Sequence, residues 1–304
     1  MTRRREEGAP APYPIATERV VAEVRRDRER PGGRLLLMDG VEAAHVDVDD
    51  PTHLEFEYLR HLVRLIDIAH PRRLPLQALH LGGGPCTLAR YLQATRREVH
   101  SVVLEHDPGV IDVARRWMGL RTSPRLEVRI GDARALVAAV PAGWADLLVV
   151  DVFDGIQVPH HVTTLEFLEE SRRALRPDGL HVVNLIDIAP LGLAAALAAT
   201  LLARFAAVVL MTSRRVLEEG ASGNLVLAAA DRAPDLDLLT RLVPRDPSGW
   251  RVLRGRALQR LADGAPILRD DEPPTHALAA LAPLWGRTGS RRAAAAAAQP
   301  TRGR

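Results

Sequence analysis

Between Leu76 and Asp154 the chain repeats one arrangement four times. An apolar run ends at a glycine or a carboxylate, and a helix-like segment leads to the next run. The first run, 76–81, stops at Gly82-Gly83-Gly84, and the second, 99–104, at Glu105. The third, 126–130, stops at Gly131-Asp132-Ala133, and the fourth, 146–150, at Asp151-Val152-Phe153-Asp154. Short strands alternating with helices predict a parallel sheet with crossover helices. In such a sheet a ligand sits off the carboxyl ends of the strands, where all these residues fall.

The flanks extend this frame. Upstream, Pro31-Gly32-Gly33 is a turn, 34–38 a strand, and Asp39-Gly40 a hairpin signal into 41–48. These form a small N-terminal β unit. Asp49-Asp50-Pro51-Thr52 reads as a helix start, followed by Leu54, Phe56, Tyr58, Leu62, Leu65 and Ile66 at helical spacing. Inside the sheet region, helices are expected over 87–95, 108–118, 133–140 and 163–175. A turn follows at Arg176-Pro177-Asp178-Gly179, then a strand over 180–185. An Ala/Leu helix over 191–204, a sixth strand over 206–211 and a seventh over 224–229 follow. Residues 234–262 read as helical and peripheral. The fold class is therefore α/β, a Rossmann-like seven-stranded sheet preceded by the β unit. The expected division is a disordered tail over 1–15, the β unit and linking helix over 16–70, a catalytic domain over 71–287, and a low-complexity tail over 288–304.

Composition excludes several classes. All 41 Lys+Arg residues are arginine, so no lysine mechanism is available. The net charge is only +3 and acids are interspersed throughout, which argues against a nucleic-acid surface. Cys86 is the single cysteine, so no intrachain disulfide can form. It stands at a helix start and reads as packing. The charged N-terminus has no apolar leader, and the longest apolar stretch, 188–209, is interrupted by Pro190 and Arg204. A soluble, cytoplasmic product without membrane contact is expected. The histidines, His160-His161 included, lack ligand spacing, and no metal is expected.

Gly82, Gly83 and Gly84 follow a strand and open a helix, where glycines permit a tight turn and close approach of a ligand. Glu105 follows Gly84 by 21 positions, the spacing at which an acid takes ribose hydroxyls. Asp132 is placed to accept from an adenine amino group. The alternative is a structural turn with two exposed carboxylates. Pro85 removes a backbone N–H that a pyrophosphate would use. The Gly-Asp-Ala turn and the sixth and seventh strands fit an S-adenosyl ligand better than a dinucleotide.

These residues resemble the spermidine synthase family, the polyamine aminopropyltransferases, whose fold is that of S-adenosylmethionine methyltransferases. The resemblance runs from about Arg34 to Pro274. It rests on Leu37-Met38-Asp39-Gly40-Val41, Glu55-Phe56-Glu57-Tyr58, Leu81-Gly82-Gly83-Gly84, Glu105, Gly131-Asp132-Ala133, Asp151-Val152-Phe153-Asp154 and Leu268-Arg269-Asp270-Asp271-Glu272-Pro273-Pro274. It implies that Glu105 holds the ribose of decarboxylated S-adenosylmethionine and that Asp132 with Ala133 contacts adenine. Asp151 would take a proton from the acceptor amine, Asp154 would hold an amine end, Tyr58 would orient it, and 155–162 would close over the substrate. It further implies a small amine such as putrescine as acceptor, no metal, and a homodimer, common in the family.

The chain departs from the family at the amine. Pro85 and Cys86 stand where the family has an Asp-Gly pair after the three glycines, and that Asp holds the aminopropyl nitrogen. Ala43 replaces a usual Gln, Leu59 and Arg60 replace a polar pair after the Tyr, and Gly155 replaces a Pro. Aminopropyl transfer with Asp151 as base is the leading expectation. The alternatives are an S-adenosylmethionine-dependent methyltransferase, for which Arg90 is the one candidate partner of the donor carboxylate, and a non-catalytic nucleoside-binding homologue.

Overall fold

The computed structural model describes residues 14–232, 234–245 and 249–272. A small antiparallel sheet comes first: β1 (Ile15–Ala16), β2 (Val21–Arg26), β3 (Gly33–Met38) and β4 (Val41–Asp47), paired in that order. Helix α1 (Glu57–Ala69) leads into the main sheet. Its parallel strands are β5 (Leu76–Leu81), β6 (Val99–Glu105), β7 (Leu126–Ile130), β8 (Ala145–Val150) and β9 (Leu175–Asp187). The crossovers carry α2 (Thr87–Thr95), α3 (Pro108–Trp117), α4 (Ala133–Ala138) and α5 (Leu165–Ala174). The remainder is α6 (Gly192–Leu202), β10 (Ala207–Ser213), α7 (Arg214–Glu219), β11 (Gly223–Ala230), α8 (Leu236–Leu242), β12 (Trp250–Arg254) and α9 (Gly255–Ala262).

The main sheet runs β12-β10-β11-β9-β8-β5-β6-β7. Strands β7, β6, β5, β8 and β9 are parallel, whereas β11, β10 and β12 pair antiparallel at one side. All seven expected strands form. The sheet has one more: β12, inside the stretch expected to be helical, closes the edge beyond β10.

Strand β8 shows why the runs are continuously apolar. Leu148 and Val150 face the core under α5 and α6, and Leu147 and Val149 face the core under α1. A parallel strand covered on both faces has no solvent side to mark with polar residues. The order along the sheet reverses between β5 and β8. That is the switch point at which such sheets bind ligands, and both the glycine loop and Asp151 stand there.

Two local expectations are revised. Helix α1 begins at Glu57, with Phe56 before it, and not at 49–52. The polar residues there satisfy one another instead: the Asp47 carboxylate accepts from the N–H of Asp49 and Asp50, and Asp50 accepts from Thr52. Side chains of this type compete with the helix for backbone donors. At the other end, β9 already pairs with β8 at Leu175, runs through the Arg-Pro-Asp-Gly segment as an irregularity, and resumes at Leu180. The Asp39-Gly40 hairpin forms as expected, with both residues left-handed (φ 50° and 81°). Of the N-terminal tail, Ile15 is in β1 and 1–13 lie outside the described residues, as do 273–304.

The small sheet packs Ala22, Val24, Leu36 and Val46 against Val110, Val113 and Met118 around α3. Thr87 at the start of α2 donates to the carbonyl of His45 on β4 at 3.1 Å. The β unit thereby stands over the glycine loop as its outer wall.

Candidate active site

Backbone hydrogen bonds lace the carboxyl ends of the central strands together. Gly82 N–H donates to Leu104 O at 2.8 Å, Asp151 N–H to Leu81 O at 2.8 Å, and Gly131 N–H to Glu105 O at 2.9 Å. Gly82 is left-handed (φ 83°), and a Cβ there would lie 2.2 Å from the Asp151 carbonyl oxygen. Only glycine lets the loop pass this close to the strand beside it.

Glu105 pins that loop. One carboxylate oxygen accepts from Gly83 N–H (2.9 Å) and Gly84 N–H (3.1 Å). The other accepts from the N–H of His106 (2.8 Å) and Asp107 (3.0 Å). The acid expected to hold a ribose thus already carries four donors, and hydroxyls would reach it by exchange. The loop's own N–H groups are spent as well: Gly82 on Leu104, Gly83 and Gly84 on Glu105, and Cys86 on the Gly83 carbonyl, while Pro85 has none. Cys86 is left-handed (φ 59°) and buried, and burial first, then nearby Glu105, pushes its thiol up to about 12. It is packing, as expected.

Asp132 caps α4, accepting from Ala135 N–H at 2.9 Å. Its second oxygen meets His161 Nε2 at 3.0 Å. Burial opposes the charge of Asp132, but these partners hold its carboxyl below the usual range. The 155–162 segment therefore already touches the turn after β7. The neighbouring His160 is fastened to the 268–272 segment: its Nε2 contacts Arg269 O at 2.7 Å. Arg134 bonds the Glu170 and Asp270 carboxylates and the His161 carbonyl.

Asp151 follows β8 directly and is half-buried. One oxygen accepts from Tyr58 Oη at 2.9 Å, the other from Asn184 Nδ2 at 2.8 Å. Desolvation raises its pKa above the usual carboxylate range, against the pull of Asn184 and Tyr58. The Tyr58 phenol is pushed well up by burial and by the Asp151 charge. Tyr58 comes from the first turn of α1, which Trp250 of β12 holds by donating Nε1–H to Glu57 at 3.1 Å. Asp154 is exposed in a tight turn closed on Gln157. Among the described residues its carboxylate has no hydrogen-bond or ion-pair partner.

Tyr58 and Asp151 thus meet directly, and Glu105, Asp132 and Asp154 stand on adjoining turns of the same sheet edge. Asn184, which sequence reasoning missed, completes the surroundings of Asp151. Its one signal was a lone amide in an apolar strand. Arg90 turns away: it is half-buried and donates to the Met118 carbonyl at 2.8 Å. A pocket of about 520 Å³ between α5, β9 and α6 is lined by none of these residues. Its arginines are engaged, Arg172 by Asp231, Arg204 by Glu169 and Arg176 by Asp146.

Residues 55–186 match the family described as Spermine/spermidine synthase domain. A polyamine aminopropyltransferase of Chromobacterium violaceum is 33% identical over 140 residues, 46% of this chain and 52% of that protein. The chain spans about half the length of the curated relatives it matches. A solved structure of a probable spermidine synthase from Corynebacterium glutamicum has a TM-score of 0.80 at 28% identity, over 88% of this chain and 99% of that one. Human methyltransferase-like protein 13, in complex with SAH, shares the fold alone, with a TM-score of 0.51 at 22% identity over 72% of this chain and 97% of that one.

Proposed function

We propose that this chain, a divergent member of the spermidine synthase family, transfers an aminopropyl group from decarboxylated S-adenosylmethionine to a small amine such as putrescine. The observation that carries this reading is Asp151, a half-buried carboxylate fed only by neutral donors. An ammonium has no lone pair and cannot attack. A carboxylate of raised pKa takes one of its protons, and the freed nitrogen attacks the methylene beside the sulfonium. The new N–C bond forms as the C–S bond breaks, methylthioadenosine leaves, and the proton stays on Asp151. Tyr58 keeps one Asp151 oxygen oriented, and Asp154 at the rim offers its charge to an amine end. Glu105 would exchange the N–H contacts of His106 and Asp107 for ribose hydroxyls while keeping those of the glycine loop, and Asp132 would exchange His161 for the adenine amino group.

The glycine loop supports the decarboxylated donor. A carboxylate or phosphate entering there would find each N–H of 82–84 and 86 already used and Arg90 turned to Met118. Methyl transfer from the carboxylated donor is the weaker reading for that reason. Calorimetry with both donors tests it: the decarboxylated form should bind more tightly, and the reverse order would reject the assignment. Mass spectrometry of a mixed amine pool should then show one amine heavier by an aminopropyl unit. If both donors bind and no amine changes, the nucleoside-binding reading replaces the enzymatic one.

A further inference from the structure

Asn184 is 1% exposed in the middle of β9. A buried amide needs partners for both of its ends. Its Nδ2 donates to Asp151 at 2.8 Å, and its Oδ1 accepts from Asn224 Nδ2 at 3.1 Å. Asn224 belongs to the neighbouring strand β11. The register sets Val226 opposite Asn184 and Asn224 opposite Ile186, so the two amides meet on the diagonal of one sheet face. The Asn224 backbone is held in turn, its carbonyl accepting from Thr212 Oγ1 of β10 at 2.9 Å.

The two ends of an amide have nearly the same shape and opposite polarity. An ionised carboxylate only accepts, so Nδ2 must face Asp151. Turned over, Asn184 would set its oxygen against the Asp151 oxygen, an arrangement that only a protonated Asp151 tolerates. The NH2 of Asn224 decides between the two, because it can meet only the oxygen of Asn184. We propose that Asn224 is a positioning residue for Asp151, acting through Asn184, whose NH2 end it keeps turned toward the carboxylate. The groups facing Asp151 are the Tyr58 phenol from α1, the Asn184 amide from β9 and the backbone of the Gly82 turn. Among the described residues no charged group contributes to its shift: burial raises its pKa, and the neutral donors Asn184 and Tyr58 oppose that rise.

The role in turnover rests on the function proposed above; the amide relay does not, and the test separates the two. In protein labelled with ¹³C at aspartate carboxyls, the Asp151 signal is identified by its loss in Asp151→Asn. Its titration midpoint should rise by about half a unit to one unit in Asn224→Ala, and by at least as much in Asn184→Ala. Asn224→Gln, which keeps an NH2 group, should recover part of the shift. The acid limb of kcat/KM should move by the same amount with the KM for the donor unchanged. A midpoint identical in wild type, Asn224→Ala and Asn184→Ala overturns the proposal. If the alanine variant does not fold, Asn224→Ser serves for the same comparison. A moved midpoint in a protein that alkylates no amine would keep the relay and reject the transferase. Turnover with an unmoved midpoint would do the reverse.

Discussion

At the scale of single residues, the proposed chemistry rests on Asp151, and its neighbours fix how it behaves. Asp151→Asn preserves shape and removes the base, so kcat should fall by about 10²- to 10⁴-fold with donor binding nearly intact. Steady-state rates beside calorimetry check this. Because burial raises the Asp151 pKa, the wild-type rate should climb with pH through a limb above the usual carboxylate range. Tyr58→Phe removes one of two donors and should move that limb further up. An unmoved limb would show that the phenol does not bear on the base. Glu105, Asp132 and Asp151 could be singled out in the sequence because each ends a strand or opens a helix, whereas Tyr58 came only from the family resemblance. What they touch was not legible. The sequence could not show that Glu105 is occupied by four N–H groups or Asp132 by His161, because those bonds depend on loop geometry. Nor could it pair Asn184 with Asn224, since only the β9–β11 register brings the two together.

At the scale of elements, the site depends on turns and clamps. Gly82→Ala would force a left-handed alanine, at about 1–2 kcal/mol, and thrust its methyl into the Asp151 backbone. Both a lower Tm and weaker donor binding are expected; a variant that keeps wild-type affinity would show that the loop need not approach β8 so closely. Arg134 ties the 160–161 turn to α5 and to the 268–272 segment through Glu170 and Asp270. In Arg134→Met, amide exchange at 160–162 and 268–272 should quicken by about tenfold or more, as local opening becomes easier. Unchanged protection there would mean that the His160–Arg269 and His161–Asp132 contacts hold the turn without Arg134. The interior strands were readable because apolar runs are long and unbroken. Strand β12 was not: it has five residues, with Arg251 and Arg254 among them, and it sits between glycines. An edge strand that short carries too little alternation to tell from a helix.

At the scale of the whole molecule, two buried histidines shape the pH response. Burial lowers His80 to about 4 and His181 to about 3, from an ordinary 6.5. His181 is wedged between Phe167 and Phe205. Between those values and 6.5 the unfolded chain binds more protons than the folded one. Stability should therefore fall as pH drops below 6.5, by up to about 1.4 kcal/mol per pH unit for each histidine. Asp151 and Asp187, whose pKa values burial raises, push the other way over their own interval, above the usual carboxylate value. Urea unfolding at pH 5 and pH 7 measures the balance, and His181→Leu should flatten the difference. No flattening would place the acid sensitivity elsewhere.

Trp250 gives this architecture a further consequence. Its indole grips Glu57 and its ring lies 4.5 Å from His61, a span of 193 positions along the chain for the first of these contacts. The stretch that matches the family model ends at residue 186, yet the phenol that bonds Asp151 rides on a helix braced from far beyond it. The stretch that the family model matches and the unit that can be excised are therefore different here. A fragment trimmed to the matched stretch would keep every acid of the cleft and lose the buttress that aims Tyr58 at them.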